Sequence, residues 1–229
     1  EFLARYKAEF GNELENLNIG GGIGIAYTES DKPISAKEFL AAVSDVITKE
    51  SARVGISVPR ISIEPGRALV GPSMITLYTV GTTKEVQLDG GATRLYISVD
   101  GGMSDNIRTS LYGAVYTAEL ANRKSTAPLR NCRIVGKHCE TGDIVINEIM
   151  LPSDIAPGDL LAVPATGAYG RSMASNYNHV PRPGVISVAN GAARTIVRSE
   201  TEADLLALDV DEAPKKLVKV PNGESGAGK

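Results

Sequence analysis

The sequence predicts an α/β segment followed by a longer β-rich segment, and three features indicate this fold class. First, short apolar runs near residues 17 and 61 each lead into a glycine-containing loop, with a capped amphipathic helix between them. Second, from Ser73 onward short strand-like runs alternate with turn sequences such as Pro157-Gly158-Asp159. Third, the length of 229 residues leaves room for both segments, as one large domain or as two modest ones. We therefore expect part of a parallel sheet or barrel, and then an antiparallel sandwich or barrel.

Two strands with their loops organise the first segment. Leu17–Ile19 is predicted as a strand that leads into Gly20-Gly21-Gly22, and Ile61–Ile63 as one that leads into Glu64-Pro65-Gly66-Arg67. Ligands of parallel sheets and barrels bind at the carboxyl ends of the strands. Both loops are therefore expected on the binding side of this segment.

Two helices accompany these strands. Ser35 and Glu38 have the spacing of a capping box, which predicts a helix from there to about Arg53. Before it, the chain opens inside an apolar stripe at helical spacing, formed by Phe2, Leu3, Tyr6 and Phe10. The sequence does not begin with Met, and a domain rarely begins within a helix. We therefore expect the chain to be the later part of a longer protein.

The second segment is predicted to be built from short strands. They cover residues 74–80, 84–88, 95–99, 114–120, 132–135, 144–149, 160–163, 185–188 and 193–197. Turn sequences such as Asp89-Gly90-Gly91 and Asn190-Gly191 separate them. A short last helix is expected within residues 202–208.

The domain organisation follows from this change of pattern. Residues 1–71 are assigned to the α/β part, and residues 72–208 to the β domain. A segment near residues 90–113 is a candidate for returning to the active-site face. The tail, residues 209–229, is rich in Lys, Pro, Gly and Ser and is expected to be disordered.

Composition argues against several classes of protein. The net charge is −3 with both signs interspersed, so no nucleic-acid partner is expected. No apolar run is long enough to span a membrane. The two cysteines, Cys132 and Cys139, are expected to be reduced thiols in a cytoplasmic protein. His138 and His179 lack metal partners at ligand spacing, so no metal site is predicted and both are expected to be surface or packing residues.

The two loops of the first segment could hold an anion. Gly20-Gly21-Gly22 has no side chain to block an approaching ligand, so its backbone N–H groups could bind phosphate; the alternative is a tight turn. In the second loop, Glu64 could pair with a cationic ring nitrogen and Arg67 could bind a carboxylate. The alternative there is a surface ion pair.

Three further places carry groups with chemistry. Arg108 and Tyr112 are four residues apart and would share a helical face. The pair could bind a carboxylate, or it could be a solvated Arg beside a half-buried Tyr. Cys139 could donate a proton and Glu140 could hold an ammonium group, or the pair could be an inert thiol and a solvated acid. Tyr169, flanked by glycines, could contact a ligand or lie buried in a turn.

Taken together, these motifs form a specific series. In order they are Gly-Gly-Gly, Glu-Pro-Gly-Arg, Asp-Gly-Gly-Met-x-Asp-x-x-Arg-x-x-Leu-Tyr-Gly, His-Cys-Glu-x-Gly-Asp, Gly-Ala-Tyr-Gly and Asn-Tyr-Asn before Pro-Arg-Pro. From about residue 15 to about residue 200 the chain resembles the diaminopimelate decarboxylase family, which has fold type III and depends on pyridoxal 5′-phosphate. The resemblance implies the C-terminal part of a (β/α)8 barrel followed by an antiparallel β-barrel or sandwich domain. It also implies a homodimer with active sites shared across the interface.

The resemblance also implies roles for individual residues. The proton donor would be Cys139, reaching in from the other subunit, and Glu140 would bind the distal amino group of the substrate. Arg67, Arg108 and Tyr112 would hold the carboxylate that does not react. The cofactor would be bound by Gly22, Glu64, Pro65, Gly66, Arg67 and Tyr169, with Tyr169 also touching the substrate.

Glu140 bears on the substrate. Ornithine decarboxylases of the same fold carry Asp at this position, and their substrate lacks a distal carboxylate. Glu140 with Arg108 therefore favours meso-2,6-diaminopimelate, converted to L-lysine and CO2 in the last step of lysine biosynthesis. The alternatives are another amino-acid decarboxylase of this fold (ornithine or arginine type), a non-catalytic dimerisation or binding fragment, and a generic phosphate-binding barrel domain.

One part of the family pattern is missing. The Schiff-base lysine and the ring-stacking His belong to earlier barrel units, and neither motif occurs in this sequence. The resemblance thus implies that this chain is about the C-terminal half of the enzyme, is inactive alone, and needs the missing N-terminal barrel portion.

Overall fold

A computed structural model describes residues 1–210 of the chain. It divides into two compact units, one comprising residues 1–182 and the other beginning at Pro183. Most of the predicted disordered tail, residues 211–229, lies outside the described residues. Among the described residues, no helix is both long enough and apolar enough to cross a bilayer.

The helices are mostly short. They are α1 (Phe2–Phe10), α2 (Ala36–Val54), α3 (Gly66–Val70), α4 (Arg108–Tyr112), α5 (Gly170–Met173) and α6 (Glu202–Leu205). The strands are β1 (Asn16–Asn18), β2 (Arg60–Ser62), β3 (Thr76–Gln87), β4 (Thr93–Val99), β5 (Glu119–Leu120), β6 (Leu129–Val135), β7 (Ile144–Pro152), β8 (Leu160–Val163), β9 (Val185–Ala189) and β10 (Ala192–Val197).

The predicted α/β pattern of the first segment is confirmed. β1 and β2 pair in parallel, with Leu17 opposite Ile61, and α2 lies between them in the sequence. The predicted capping box is present, because the Ser35 side chain accepts a hydrogen bond from the Glu38 N–H and Glu38 bonds back to the Ser35 backbone. Gly55, in the left-handed conformation, ends the helix.

The first unit also contains a six-stranded mixed sheet, in the order β5-β8-β3-β4-β6-β7. The prediction of an antiparallel domain is wrong for one pair, because β4 and β6 run parallel, with Ile97 opposite Ile134. A hairpin cannot join parallel strands, and the chain between them passes through α4 and β5 before it returns. The core consists of fully buried side chains on this sheet, including Val80, Ile97, Cys132, Ile134, Val145, Leu161 and Val163.

Two strand predictions in this sheet need correction. The strands predicted over residues 74–80 and 84–88 are replaced by a single strand, β3 (Thr76–Gln87), whose register against β4 shifts between Val80 and Thr83. At this irregularity the Ser98 hydroxyl bonds to both the N–H and the carbonyl of Thr82, so the chain continues without a turn. The predicted strand over residues 114–120 is reduced to Glu119–Leu120. Tyr116 and Ala118 in this stretch are buried without joining a ladder, whereas Val115 is exposed.

The described part of the second unit, residues 183–210, contains the antiparallel hairpin of β9 and β10. Asn190 and Gly191 both have positive φ, as a tight two-residue hairpin turn requires, which confirms the predicted turn. The short helix α6 follows, with Thr201 and Asp204 forming its capping box.

Candidate active site

The two loops at the ends of β1 and β2 touch each other. The Glu64 N–H donates to the Gly20 carbonyl at 2.7 Å. A Cβ on Gly21 would lie 2.4 Å from the Glu64 carbonyl oxygen, so only glycine allows this approach. The parallel pairing of β1 and β2 therefore brings the two predicted loops to one place.

Asn18 orients the Glu64 carboxylate within this pair of loops. Its Nδ2 donates to Glu64 Oε1 at 2.6 Å, and its Oδ1 accepts from the Gly20 N–H at 2.8 Å. The Glu64 side chain remains exposed. Sequence reasoning did not single out Asn18, although its position one residue before the strand-end Ile19 is a signal that could have pointed to it.

The remaining predicted residues of these loops are open. A Cβ built on Gly22 or Gly66 meets no atom within 4 Å, so the backbone there is accessible. Pro65 precedes α3, and the Arg67 side chain makes no hydrogen bond or ion pair within residues 1–210. These loops therefore present free backbone, one oriented carboxylate and one unpaired cation.

A second group of residues surrounds Arg108. This arginine is only 9% exposed, and its Nη1 donates to the hydroxyl oxygens of Tyr27 at 2.9 Å and Tyr116 at 2.8 Å. Its Cζ also lies 5.4 Å from the centre of the Tyr169 ring. No carboxylate pairs with Arg108 anywhere in the described part of the chain, so the hydrogen-bond partners of its guanidinium there are neutral phenols alone.

Arg108 and Tyr112 lie on the same short helix, α4, in different surroundings. Arg108 is buried, whereas Tyr112 is 64% exposed. The alternative of a solvated Arg beside a half-buried Tyr is therefore wrong. Sequence reasoning missed Tyr27 and Tyr116. The only signal for Tyr27 was that it follows the first glycine loop, and none marked Tyr116.

Tyr169 is presented by a tightly packed turn. Its own φ is +68°, and its side chain is 47% exposed, which contradicts the alternative of a buried tyrosine. Gly167 allows the turn to press against the end of α3, since a Cβ there would lie 1.8 Å from the Val70 carbonyl oxygen. Gly167 also donates to the Gly71 carbonyl at 3.1 Å. The glycine before Tyr169 thus serves close packing.

The third group contains Cys139 and Glu140. Both cysteines are free thiols, as expected, and Cys139 is exposed whereas Cys132 is buried. Glu140 accepts a hydrogen bond from the hydroxyl of Tyr177, and this bond together with partial burial raises the pKa of Tyr177. Tyr177 is the tyrosine of the Asn-Tyr-Asn motif, but sequence reasoning gave it no role.

Asp143 joins this turn to the loop that precedes Arg108. Its buried carboxylate accepts from the backbone N–H groups of Met103 at 2.6 Å and His138 at 2.7 Å. Two glycines make room, because a Cβ on Gly102 or Gly136 would lie within 2.5 Å of the carboxylate oxygens. His138 is buried, with Nε2 2.8 Å from the Ser104 hydroxyl, so it has the packing role that was one of its two expected roles.

The described residues bring together only some of the predicted site. Arg108 contacts Tyr169 and, through Tyr27, the chain that follows the first glycine loop. No hydrogen bond, ion pair or ring contact within residues 1–210 joins Cys139 or Glu140 to Arg108, Tyr169 or Glu64. The residues that are predicted to bind a cofactor and a carboxylate thus form one set of contacts, and those of the Cys139 turn form another.

Both segments of the chain are similar to known proteins. The C-terminal sheet domain of pyridoxal-dependent decarboxylases matches residues 38–167, and their pyridoxal binding domain matches residues 1–71. The diaminopimelate decarboxylase of Mycobacterium tuberculosis is 51% identical over 206 residues, which are 88% of this chain and 46% of that protein. That of Bacillus subtilis is 50% identical over 194 residues, 85% of this chain and 43% of that protein.

The fold is also similar to part of a solved diaminopimelate decarboxylase. The crystal structure from M. jannaschi has a TM-score of 0.82 and 31% identity, covering 93% of this chain and 46% of that one. The chain thus spans less than half the length of the relatives it matches. The order of the motifs, the shared fold and the matches over both segments lead to one conclusion: this chain belongs to the pyridoxal-dependent decarboxylase family, whose cofactor is pyridoxal 5′-phosphate.

Proposed function

We propose that this chain supplies the C-terminal portion of a cytoplasmic enzyme that converts meso-2,6-diaminopimelate to L-lysine and CO2. Sequence identity of about 50% to proteins named diaminopimelate decarboxylase supports this reaction. The two free thiols fit a reducing compartment such as the cytoplasm. The observation that carries the proposal is the buried Arg108, whose charge no acid in the described residues neutralises. Such a group favours a substrate that carries an additional carboxylate.

The residues of the two glycine loops fit pyridoxal phosphate. The open backbone at Gly22 and Gly66 and the unpaired Arg67 suit its phosphate oxygens and their surroundings. Glu64, oriented by Asn18 and flanked by Pro65, would hold a proton at the pyridine nitrogen. Pyridoxal phosphate, when bound, accepts the electrons of the bond that breaks. Tyr169 would contact both cofactor and substrate.

The protein would bind the substrate at the end that does not react. Arg108 would bind the distal carboxylate, assisted by Arg67 and by the exposed Tyr112. Glu140, whose carboxylate is held by Tyr177, would bind the distal ammonium group. A substrate with both groups at one end satisfies both residues, whereas ornithine would leave the Arg108 charge unpaired.

Cys139 would donate the proton that replaces the departing carboxyl group. We propose that Cys139 and Glu140 of one subunit complete the site of the other subunit in a homodimer. Their exposure and their lack of contact with Arg108 in the described residues of one chain support this arrangement. The remaining organisation follows the sequence prediction: residues 1–71 as the last part of a (β/α)8 barrel and residues 72–208 as the β domain.

The test compares three proteins with diaminopimelate, ornithine and arginine as substrates: the chain alone, the chain joined to an N-terminal barrel portion that supplies the Schiff-base lysine, and the joined protein with Cys139→Ala. We expect no turnover by the chain alone and turnover of diaminopimelate by the joined protein. Cys139→Ala should lower kcat by about 10²- to 10⁴-fold while cofactor is retained. Cys132→Ala, at a buried thiol, is the matched control and should keep kcat.

Preferred turnover of ornithine or arginine would contradict the substrate assignment. Near-normal kcat for the Cys139→Ala protein would contradict the assignment of the proton donor. A cofactor adduct mapped to a lysine of the chain alone would contradict the need for an N-terminal portion.

A further inference from the structure

We infer that Tyr27 and Tyr116 are positioning residues that hold the Arg108 guanidinium with one edge free for the substrate's distal carboxylate. This inference rests on the proposed function, in which Arg108 binds that group. It adds two tyrosines that touch neither cofactor nor reacting atoms and act through the arginine.

The hydrogen bonds of the Arg108 guanidinium use one nitrogen only. Nη1 carries two hydrogens, and it donates to the Tyr27 hydroxyl at 2.9 Å and to the Tyr116 hydroxyl at 2.8 Å. A guanidinium has five N–H donors, so the N–H groups of Nε and Nη2 remain. These form one edge of the planar group, and that edge can bind a carboxylate through two parallel hydrogen bonds. Neither nitrogen has a partner within residues 1–210.

The two tyrosine rings also limit how the guanidinium can turn. They meet edge to face, with centres 5.3 Å apart and planes at 87°. Arg108 Cζ lies 5.2 Å from the centre of the Tyr27 ring and 5.9 Å from that of Tyr116. Tyr116 is only 3% exposed, so its hydroxyl is held by surrounding packing. A fixed guanidinium loses less conformational entropy when a ligand binds.

The electrostatics of the site favour an anionic ligand. Arg108 is 9% exposed and has lost most of its hydration. Within residues 1–210, the hydrogen bonds and ring contacts of its guanidinium are all with neutral tyrosines, namely Tyr27, Tyr116 and Tyr169. Ring quadrupoles attract a cation but do not neutralise its charge. A structural arginine at this depth normally has a carboxylate partner in the protein. Here the substrate's carboxylate would be that partner.

The test measures the binding of two ligands to the complete, cofactor-loaded protein by calorimetry. L-Lysine carries the carboxylate that Arg108 would bind, and cadaverine has the same amines without it. Tyr116→Phe and Tyr27→Phe should each weaken L-lysine binding by about 10-fold, since each removes one hydrogen bond to a charged group. Cadaverine binding should change less than about twofold. The KM for diaminopimelate should rise with kcat nearly unchanged.

Tyr96→Phe is the matched control. Tyr96 accepts a hydrogen bond from Arg133 Nη1 at 3.2 Å, and the Arg133 Cζ lies 5.5 Å from its ring centre, away from the candidate site. This variant should bind both ligands as the unaltered protein does. Tyr27 is only partly buried, so Tyr27→Phe keeps the test decisive if the protein with Tyr116→Phe, at a buried position, folds poorly.

The possible outcomes separate the inference from the proposed function. If Arg108→Lys weakens L-lysine binding but both Tyr→Phe variants bind it normally, the positioning role is overturned and the proposed function stands. Equal weakening for L-lysine and cadaverine would also overturn the role, because general damage does not distinguish the ligands. If the unaltered protein neither binds L-lysine nor turns over diaminopimelate, the proposed function itself fails.

Discussion

The Asp159 carboxylate shows how a single residue can stabilise a turn of the sheet. It accepts hydrogen bonds from Arg123 Nη2 at 2.7 Å and Nε at 2.8 Å, from the Ala156 N–H at 2.9 Å and from Asn122 Nδ2 at 3.1 Å. The Arg123 guanidinium holds the pKa of Asp159 well below its ordinary range. The carboxylate is nearly buried, so these bonds are shielded from solvent.

Stability should therefore depend on pH through Asp159. Because its pKa is lower in the folded than in the unfolded chain, the carboxylate stabilises the fold above its ordinary pKa of about 3.9. That contribution is lost as the pH falls toward the folded-state pKa. Asp159→Asn should lower the free energy of unfolding by about 2 kcal/mol at pH 7. Urea unfolding at pH 7 and at pH 3 should show that the difference shrinks in acid.

Asp45→Asn provides the control for this prediction. Asp45 also pairs with a cation, Lys49 at 2.6 Å, but both side chains are exposed. Exposed pairs on a helix surface contribute little, so this variant should unfold like the unaltered protein. An Asp159→Asn difference that stays constant between pH 7 and pH 3 would mean that the carboxylate charge is not the cause.

At the scale of elements, the Cys139–Glu140 turn depends on space for Asp143. A Cβ on Gly136 would lie 2.2 Å from Asp143 Oδ2. Gly136→Ala should push the carboxylate away from the Met103 and His138 N–H groups and destabilise the protein by about 1–3 kcal/mol. The displaced turn should also raise the KM for diaminopimelate. Thermal unfolding and steady-state kinetics of the complete protein measure both effects.

Gly142→Ala is the matched substitution in the same turn. Gly142 has no positive φ, and a Cβ there meets no atom within 4 Å. This variant should therefore keep both stability and KM. Equal effects of the two substitutions would mean that the turn is sensitive to any added methyl group, and that the Asp143 contact is not the reason.

At the scale of the whole molecule, the proposed sharing of active sites between two subunits predicts complementation. Two complete but defective proteins, Arg108→Ala and Cys139→Ala, would be unfolded together and refolded as mixed dimers. Half of the dimers would be mixed, and each mixed dimer would contain one intact site. Activity should then recover to about one quarter of the unaltered level. No recovery, with mixed dimers demonstrated by mass, would place both residues in a site built from one chain.

Local features of the fold were predictable from the sequence. The capping box of Ser35 and Glu38 and the turn of Asn190 and Gly191 depend only on residues that are neighbours in the chain, and both are present. The two units in which a strand leads into a glycine-containing loop were predictable as well, because each is specified by a few consecutive residues. The parallel pairing of β4 and β6 was not, since it depends on how the chain returns after α4.

The sequence by itself determined the motifs, their order and the family to which they belong, because these reside in the identity and spacing of residues. Only the tertiary structure decided which side chains meet. Tyr27 and Tyr169 are each distant in the chain from Arg108 and Tyr116, and the contacts among these residues form only when the sheet and the loops are packed. Likewise, Asp143 joins two loops through backbone N–H groups, which any residue can supply, so no sequence pattern marks the bond.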